Sequence, residues 1–241
     1  MLSFASSLSD NSDAFVVFVT DKYDYKDKNN LLSNELVRKI DLFLKSLKTK
    51  KNKEEINSFD ISEKKKCFVI KVKNNYENYY FEEIGGAFYT YVKKFKNINL
   101  IDIYADSLNE KKDKLIKCFS EFIFGFSLKS YTFGKYKTLS KEKLNSKINT
   151  KIITSYKNNI ENNYKYYDAI KEGVFLTRDL VSEPPNVLNP KTYVQEIKKL
   201  SKFGLKVKAY DEKELKKLDN KINNKIITSY KKNIEINYKY Y

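Results

Sequence analysis

The sequence predicts an α/β fold: three layers, with a mostly parallel sheet and helices on both of its faces. Two observations carry that expectation. Continuous apolar runs rich in Val, Ile and Phe, the pattern of strands covered on both sides, recur at 14–20, 67–72, 99–105 and 151–156. Between them lie longer stretches whose apolar residues repeat at helical spacing. Alternation of this kind implies crossover connections, because parallel neighbours cannot be joined by a tight turn.

The run AFVVFVT (14–20) reads as a strand at the centre of the sheet. From Leu31 to Leu47, residues Leu36, Val37, Ile40, Phe43, Leu44 and Leu47 keep helical spacing, and KTKKNKEE (48–55) then breaks it as a solvated loop. CFVIKV (67–72) is the next strand. The helix over 79–95 contains Gly85 and Gly86, each costing about 1 kcal/mol in a helix interior, so a closely packed neighbour is the reason to keep them. A phosphate loop is the other use of paired glycines, but the stretch lacks GxGxxG and a GK[ST] ending.

NLIDIYA (99–105) is again a strand, and 110–131 a strongly apolar helix. KIITSY (151–156) precedes a helix from about Glu161 to Glu183, which Pro184 and Pro185 end. Asn189 can cap the next helix with Pro190 at its first position, where a missing N–H costs nothing. LKVKAY (205–210) alternates as a strand, and in DEKE (211–214) the Asp and Glu are spaced as a capping box for a last helix.

Composition narrows the chemistry. The 241 residues contain no histidine, which excludes Ser-His-Asp and Cys-His nucleophile pairs, HExxH zinc sites and imidazole acid-base catalysis. Carboxylates and lysines remain. Cys67 and Cys118 form no CxxC and lie in apolar segments, so they read as reduced core thiols. No apolar run approaches a membrane span and the start has no basic n-region, so a cytoplasmic protein without a membrane partner is expected.

The formal charge of +16 suggests an anionic partner such as nucleic acid. Only Arg38 and Arg178 among the 47 basic residues are arginine, however, and the lysines are scattered through an Asn-, Ile- and Tyr-rich background. A solvated lysine surface is therefore favoured over a nucleic-acid interface. Asp179 and Glu183 lie four apart on one helix face and could pair as metal ligands, but Lys171 and Arg178 nearby make ion pairing the simpler role.

The stretch TRDLVSEPPNVLNP (177–190) resembles the junction between the two domains of the leucine aminopeptidase (cytosol aminopeptidase) family of two-metal exopeptidases, of the form A-R-D-L-V-N-x-P-P-N-x-x-T-P. SLKSYTFGKYKT (127–138) is similar to that family's S-Y-x-F-x-x-Y-K segment, and IGGAFYTYVKKFK (84–96) to its A-G-G helix. The three occur in the family's order within Ala14–Leu218. The resemblance implies a non-catalytic, macro-like N-terminal domain (1–157), a linker helix (158–185), a truncated start of the catalytic domain (186–218) and a tail (219–241).

It also implies a reaction, removal of N-terminal amino acids from peptides with two divalent metals, zinc or manganese. The motifs that hold those metals, of the kind G-K-G-x-T-F-D-S-G-G and N-T-D-A-E-G-R, do not occur in this sequence. No catalytic, cofactor-binding or metal residue is carried over, no cofactor is expected on this chain, and the chain is expected to be inactive alone. The alternatives are a basic nucleic-acid-binding module on the same α/β domain and, by fold analogy alone, a macro-like pocket for a nucleotide or ADP-ribose.

The tail repeats earlier sequence. Residues 147–167 recur at 221–241 with differences only at Thr150/Asn224, Asn158/Lys232 and Asn162/Ile236. The repeat carries part of the positive charge. It also places a second KIITSY at 225–230, which could pair where 151–156 does, in its own chain or in a neighbour's. A homo-oligomer is thus expected by two routes, the family's architecture and the repeated strand.

Overall fold

The computed structural model describes residues 2–27, 30–50, 53–136, 148–219 and 234–237. They divide into two units, Met1–Phe175 and Leu176–Tyr241.

The first unit is built on a six-stranded sheet. Its strands are β1 (Leu2–Ala5), β2 (Ala14–Val19), β3 (Ile56–Asp60), β4 (Lys66–Lys71), β5 (Leu100–Tyr104) and β6 (Asn149–Ile153), in the spatial order β1-β6-β5-β2-β4-β3. Every neighbouring pair is parallel except β3 with β4. The central strand β2 is buried along its whole length, as its continuous apolar run requires.

Successive side chains of a strand point to opposite faces, and each face has its own cover. Helix α1 (Asn34–Thr49) packs Ile40, Leu44 and Leu47 on the face of Phe15, Val17, Cys67 and Val69. Ser33 caps this helix through its hydroxyl, which accepts a hydrogen bond from the Leu36 amide at 3.2 Å. The opposite face, with Val16, Phe18, Phe68, Ile101 and Ile103, is covered by α2 (Tyr80–Val92), α3 (Lys112–Lys129) and the first turns of α4 (Lys157–Ser182) through Ile160 and Tyr164. The Phe18 ring meets Phe119 and Phe122 edge-on at 4.8 and 5.3 Å between centroids, the geometry aromatic quadrupoles favour.

One of the paired glycines of α2, Gly85, is explained by α3. A Cβ on Gly85 would lie 2.1 Å from the carbonyl oxygen of Phe122, and one on Gly125 would lie 1.9 Å from that of Glu82. The two backbones touch where neither helix has a side chain. Gly86, by contrast, has room, with Gly125 O at 3.7 Å.

Four of the expected strands are present, but the sheet has two more. Strands β1 and β3 occupy its two edges, in segments where no strand was expected. The end of the expected strand at 151–156 also differs. The ladder stops at Ile153 because the Thr154 hydroxyl and the Ser155 amide and hydroxyl turn to Asp106, and α4 begins at Lys157 instead of near Glu161. Cys67 and Cys118 are both free and buried, the state read from their apolar surroundings.

In the second unit Asn189 caps α5 (Pro190–Lys198) in a reciprocal box with Thr192, and Pro190 takes the first position. A 3-10 turn (Lys199–Phe203) and Gly204, at φ 84°, lead into β7 (Lys206–Ala209). Asp211 and Glu214 cap α6 (Glu212–Asp219) from both directions, each amide donating to the other's carboxylate at 2.9 Å. Strand β7 pairs antiparallel with β8 (Ile234–Asn237), a partner the sequence did not lead us to expect. The second KIITSY (225–230) lies outside the described residues.

Candidate functional site

In open α/β sheets the chain leaves an opening beyond the carboxyl ends of the central strands, where connections depart in opposite directions. Here that place lies beyond β2 and β5. It is furnished with polar groups, and they are engaged with one another. Asp106, in a 3-10 turn directly after β5, is 3% exposed and accepts hydrogen bonds from Thr154 Oγ1 (2.6 Å), the Ser155 amide (2.7 Å) and Ser155 Oγ (2.6 Å). Because Ser155 stands two residues before α4, the carboxylate sits where a helix start attracts an anion. The protein fills that position with its own side chain.

The neighbouring groups are settled in the same way. Ser107 Oγ donates to the Tyr104 carbonyl at 2.6 Å and accepts from the Phe18 amide at 2.8 Å. The Tyr104 hydroxyl donates to Asp27 Oδ1 at 2.7 Å, and the Asp27 carboxylate also accepts the Leu31 and Leu32 amides at 3.0 Å. On the loop after β2, Tyr23 adopts φ 62°, and its hydroxyl accepts a hydrogen bond from the Lys71 ammonium at 3.4 Å. Asn74 Nδ2 donates to Asp21 at 2.8 Å. Among the described residues, no buried side-chain nitrogen or oxygen lacks a hydrogen-bond partner.

A second buried carboxylate stands within β5. Asp102 accepts the Ser9 amide (2.6 Å) and hydroxyl (2.9 Å), while Lys151, its register neighbour on β6, donates to Ser9 Oγ at 3.0 Å. This joins the first loop to the sheet through a charge-assisted pair. Beside α1, a cleft of about 360 Å³ is lined by Tyr23, Asp24, Tyr25, Asp41, Leu44, Lys45 and Lys48. Burial and then the adjacent Asp41 hold the Tyr25 hydroxyl far above its ordinary pKa, so it stays protonated and donates to Asp41 at 3.2 Å.

The acids considered as ligands fall elsewhere. Asp179 is exposed near the end of α4, and Glu183 lies just past that end, where its amide bonds to the Leu180 carbonyl. Lys171 is held by Asp168 at 2.5 Å and Glu172 at 3.3 Å. The acids of DEKE are capping groups, as read from the sequence.

These residues do not fit a two-metal centre. Such a centre needs carboxylates close enough to hold cations about 3.5–4 Å apart, whereas Asp106 and Asp102 already accept hydroxyl and amide hydrogens. Among the described residues no three Cys, Asp or Glu side chains are grouped to hold a metal ion. The roles of Asp106, Asp102 and Asp27 were missed in the sequence. An aspartate inside an apolar strand was the available signal for Asp102, and nothing local marked the other two.

The geometry defines a three-layer α/β domain with a mostly parallel sheet, its open end closed by its own side chains. In sequence and in fold, the chain resembles the N-terminal region of the leucine aminopeptidases. It is 36% identical over 127 residues to a probable cytosol aminopeptidase of Agrobacterium fabrum, covering 52% of this chain and 25% of the relative. It is 35% identical over 137 residues to one from Phytoplasma mali, covering 56% and 27%. The chain thus spans about a quarter of the length of these curated relatives.

Among solved structures, a mutant of tomato leucine aminopeptidase matches at a TM-score of 0.68 and 18% identity, over 90% of this chain and 45% of that one. The bottromycin maturation enzyme BotP in complex with Mn matches at 0.58 and 13%, over 86% and 40%. No family model matches the chain. No helix among the described residues is long and apolar enough to cross a membrane.

Proposed function

We propose that this chain is the non-catalytic N-terminal part of a leucine-aminopeptidase-like protein, joined by a linker helix (158–185) to the start of a catalytic domain (186–218), and that alone it hydrolyses no peptide. The observation that carries the reading is the junction sequence TRDLVSEPPNVLNP. It spans the end of α4 and the start of α5, and residues 191–241 after it contain neither metal motif of the family. Support also comes from the donor set, whose buried carboxylates are committed to hydroxyl and amide hydrogens.

The role left to the α/β domain is architectural. It presents a rigid body, with α2 and α3 in backbone contact, from which α4 leads onward. Assembly with further copies in the cytoplasm belongs to the same proposal. The test is direct: purified chain is incubated with leucyl peptides and excess zinc, manganese or magnesium, and metal retention is measured by equilibrium dialysis. No released leucine and no retained pair of metals are expected. Metal-dependent turnover that survives removal of host peptidases would overturn the proposal.

A further inference from the structure

Lysines in the first unit repeatedly stand beside acids, as in Lys39–Glu35 (2.7 Å), Lys73–Glu55 (2.6 Å), Lys114–Glu110 (2.7 Å) and the Lys66–Asp60 pair. Residues 197–210 of the second unit, IKKLSKFGLKVKAY, are different. They contain five lysines and no acid, and all five lysines are exposed. Lys199 is paired with Glu196 at 2.6 Å, and Lys208 has Glu235 as its register neighbour. Lys198, Lys202 and Lys206 make no ion pair with a described side chain.

The backbone arranges these cations along one short path. They follow the end of α5, the 3-10 turn and β7, with Gly204 turning the chain between them. Lys206 and Lys208 are the exposed positions of β7, and two residues of strand set them about 6.6 Å apart on one face. In their midst the Phe203 ring is 70% exposed, with the Lys202 ammonium 4.8 Å from its centroid. The Lys208 ammonium stands 4.4 Å from the Tyr210 ring. Exposed cations close in the chain to an exposed aromatic ring are what a sequence-tolerant site for unpaired nucleotides requires: phosphates meet the ammonium groups, and a base displaces the Lys202 ammonium to stack on the Phe203 ring.

A membrane surface is the other anionic partner, and it fits less well. Interfacial binding needs an apolar helix face to sink among the headgroups. The apolar residues Val194 and Ile197 of α5 are buried within the protein, and Phe203 is one ring flanked by lysine. Double-stranded DNA fits less well again. The stretch has no arginine to read base edges, and a stacking ring needs a base that is not paired.

We propose that the exposed stretch carrying Lys198, Lys202, Phe203, Lys206 and Lys208 binds single-stranded nucleic acid. The proposal is independent of the aminopeptidase reading and survives its failure. The test follows labelled oligothymidylate by fluorescence anisotropy on the full chain between about 50 and 200 mM salt. Each lysine that neutralises a phosphate adds about 0.7 to the slope of log affinity against log salt, so K198Q/K202Q/K206Q should flatten that slope by about 2. Phe203→Ala should weaken binding about fivefold or more and leave the slope unchanged.

Two controls keep the outcome decisive. Lys64→Gln with Lys65→Gln, which removes charge from the first unit, should change nothing. All substituted side chains reach the surface, and an unchanged circular dichroism spectrum verifies that each variant is folded. Equal losses from the Lys64/Lys65 variant, affinity indifferent to Phe203→Ala, or binding only to phosphatidylserine-containing vesicles would each overturn the proposal.

Discussion

The Cα of Gly85 faces the carbonyl of Phe122 so closely that an added Cβ would lie 2.1 Å from its oxygen. The obstacle is backbone on both sides, so no side chain can rotate out of the way. Alanine gains about 1 kcal/mol of helix propensity at such a site, while forced overpacking of a core costs about 1–3 kcal/mol and sometimes more. Gly85→Ala should therefore lower stability, by up to about 2 kcal/mol net. In a domain of this size that is a fall in Tm of about 2–4 °C per kcal/mol. Gly173→Ala, in α4 with nothing within 4 Å, is the matched control and should stabilise by up to about 1 kcal/mol.

Asp106 ties the end of β6 to the turn after β5. Asparagine at that position keeps the shape but loses the charge and presents an N–H₂ group to three donors. A hydrogen bond to a charged group contributes about 1.5–3 kcal/mol. Urea unfolding of Asp106→Asn should show a loss of that size with an unchanged m-value. A neutral result would mean that the site opens to water and is not a closed bolt.

Burial pushes the Cys118 thiol up to about 11, against an ordinary value near 9. Burial, and after it Glu121, likewise raises the Tyr167 hydroxyl to about 12. For an acid raised in the folded state, the unfolded chain loses its proton first as pH rises. Between about pH 9 and 11 the folded state thus holds more protons at Cys118, and stability falls with pH across that window. Thermal melts from pH 8 to 11 should decline, and Cys118→Ala should flatten the decline by up to about 1.4 kcal/mol per pH unit. A slope identical in parent and variant would refute the assignment.

Asn189 accepts the Lys191 and Thr192 amides at 3.1 Å, and the Thr192 hydroxyl returns a bond from the Asn189 amide at 2.9 Å. Asn189→Ala removes half of this box and should cost about 1 kcal/mol. Hydrogen exchange should accelerate at Lys191 and Thr192, with Asn189→Asp restoring protection. Unaltered exchange in the alanine variant would show that α5 is held by its packing alone.

One repeated segment forms two structures. IENN (160–163) is the start of α4, while IEIN (234–237) is β8 in the antiparallel ladder with β7. The single difference, Asn162 against Ile236, replaces a residue poor in strands by one rich in them and restores strand alternation. Ile236→Asn should therefore strip hydrogen-exchange protection from Lys206–Ala209. Exchange of the second KIITSY into the sheet faces a further obstacle, since β6 is already paired with both β5 and β1. Size-exclusion profiles of the full chain and of one lacking 219–241 should coincide, and a dimer lost on deletion would reveal strand exchange.

The strands β2, β4, β5 and β6 were legible because burial on both faces writes itself as a continuous apolar run. The edge strands β1 and β3 were not, because LSFA and INSFD are short and half exposed, and their only stable reason to be extended is the neighbour they pair with. Caps were legible for the opposite reason. Asn189-Pro190 and Asp211–Glu214 act within three residues of themselves.

The sequence by itself determined the alternation of strands and helices, the helix boundaries at prolines and caps, the absence of imidazole chemistry and the likeness of 177–190 to the aminopeptidase junction. Each of these depends on residue type and short-range spacing. Only the tertiary structure decided that Gly85 and Gly125 meet a facing backbone, that Asp106 closes the carboxyl end of the sheet through Thr154 and Ser155, and that the same repeat is helix in one place and strand in another. Those outcomes depend on partners far away in the chain. A carboxylate's role is set by which donors the fold brings to it, and a short segment's conformation by the surface it finds to pair with.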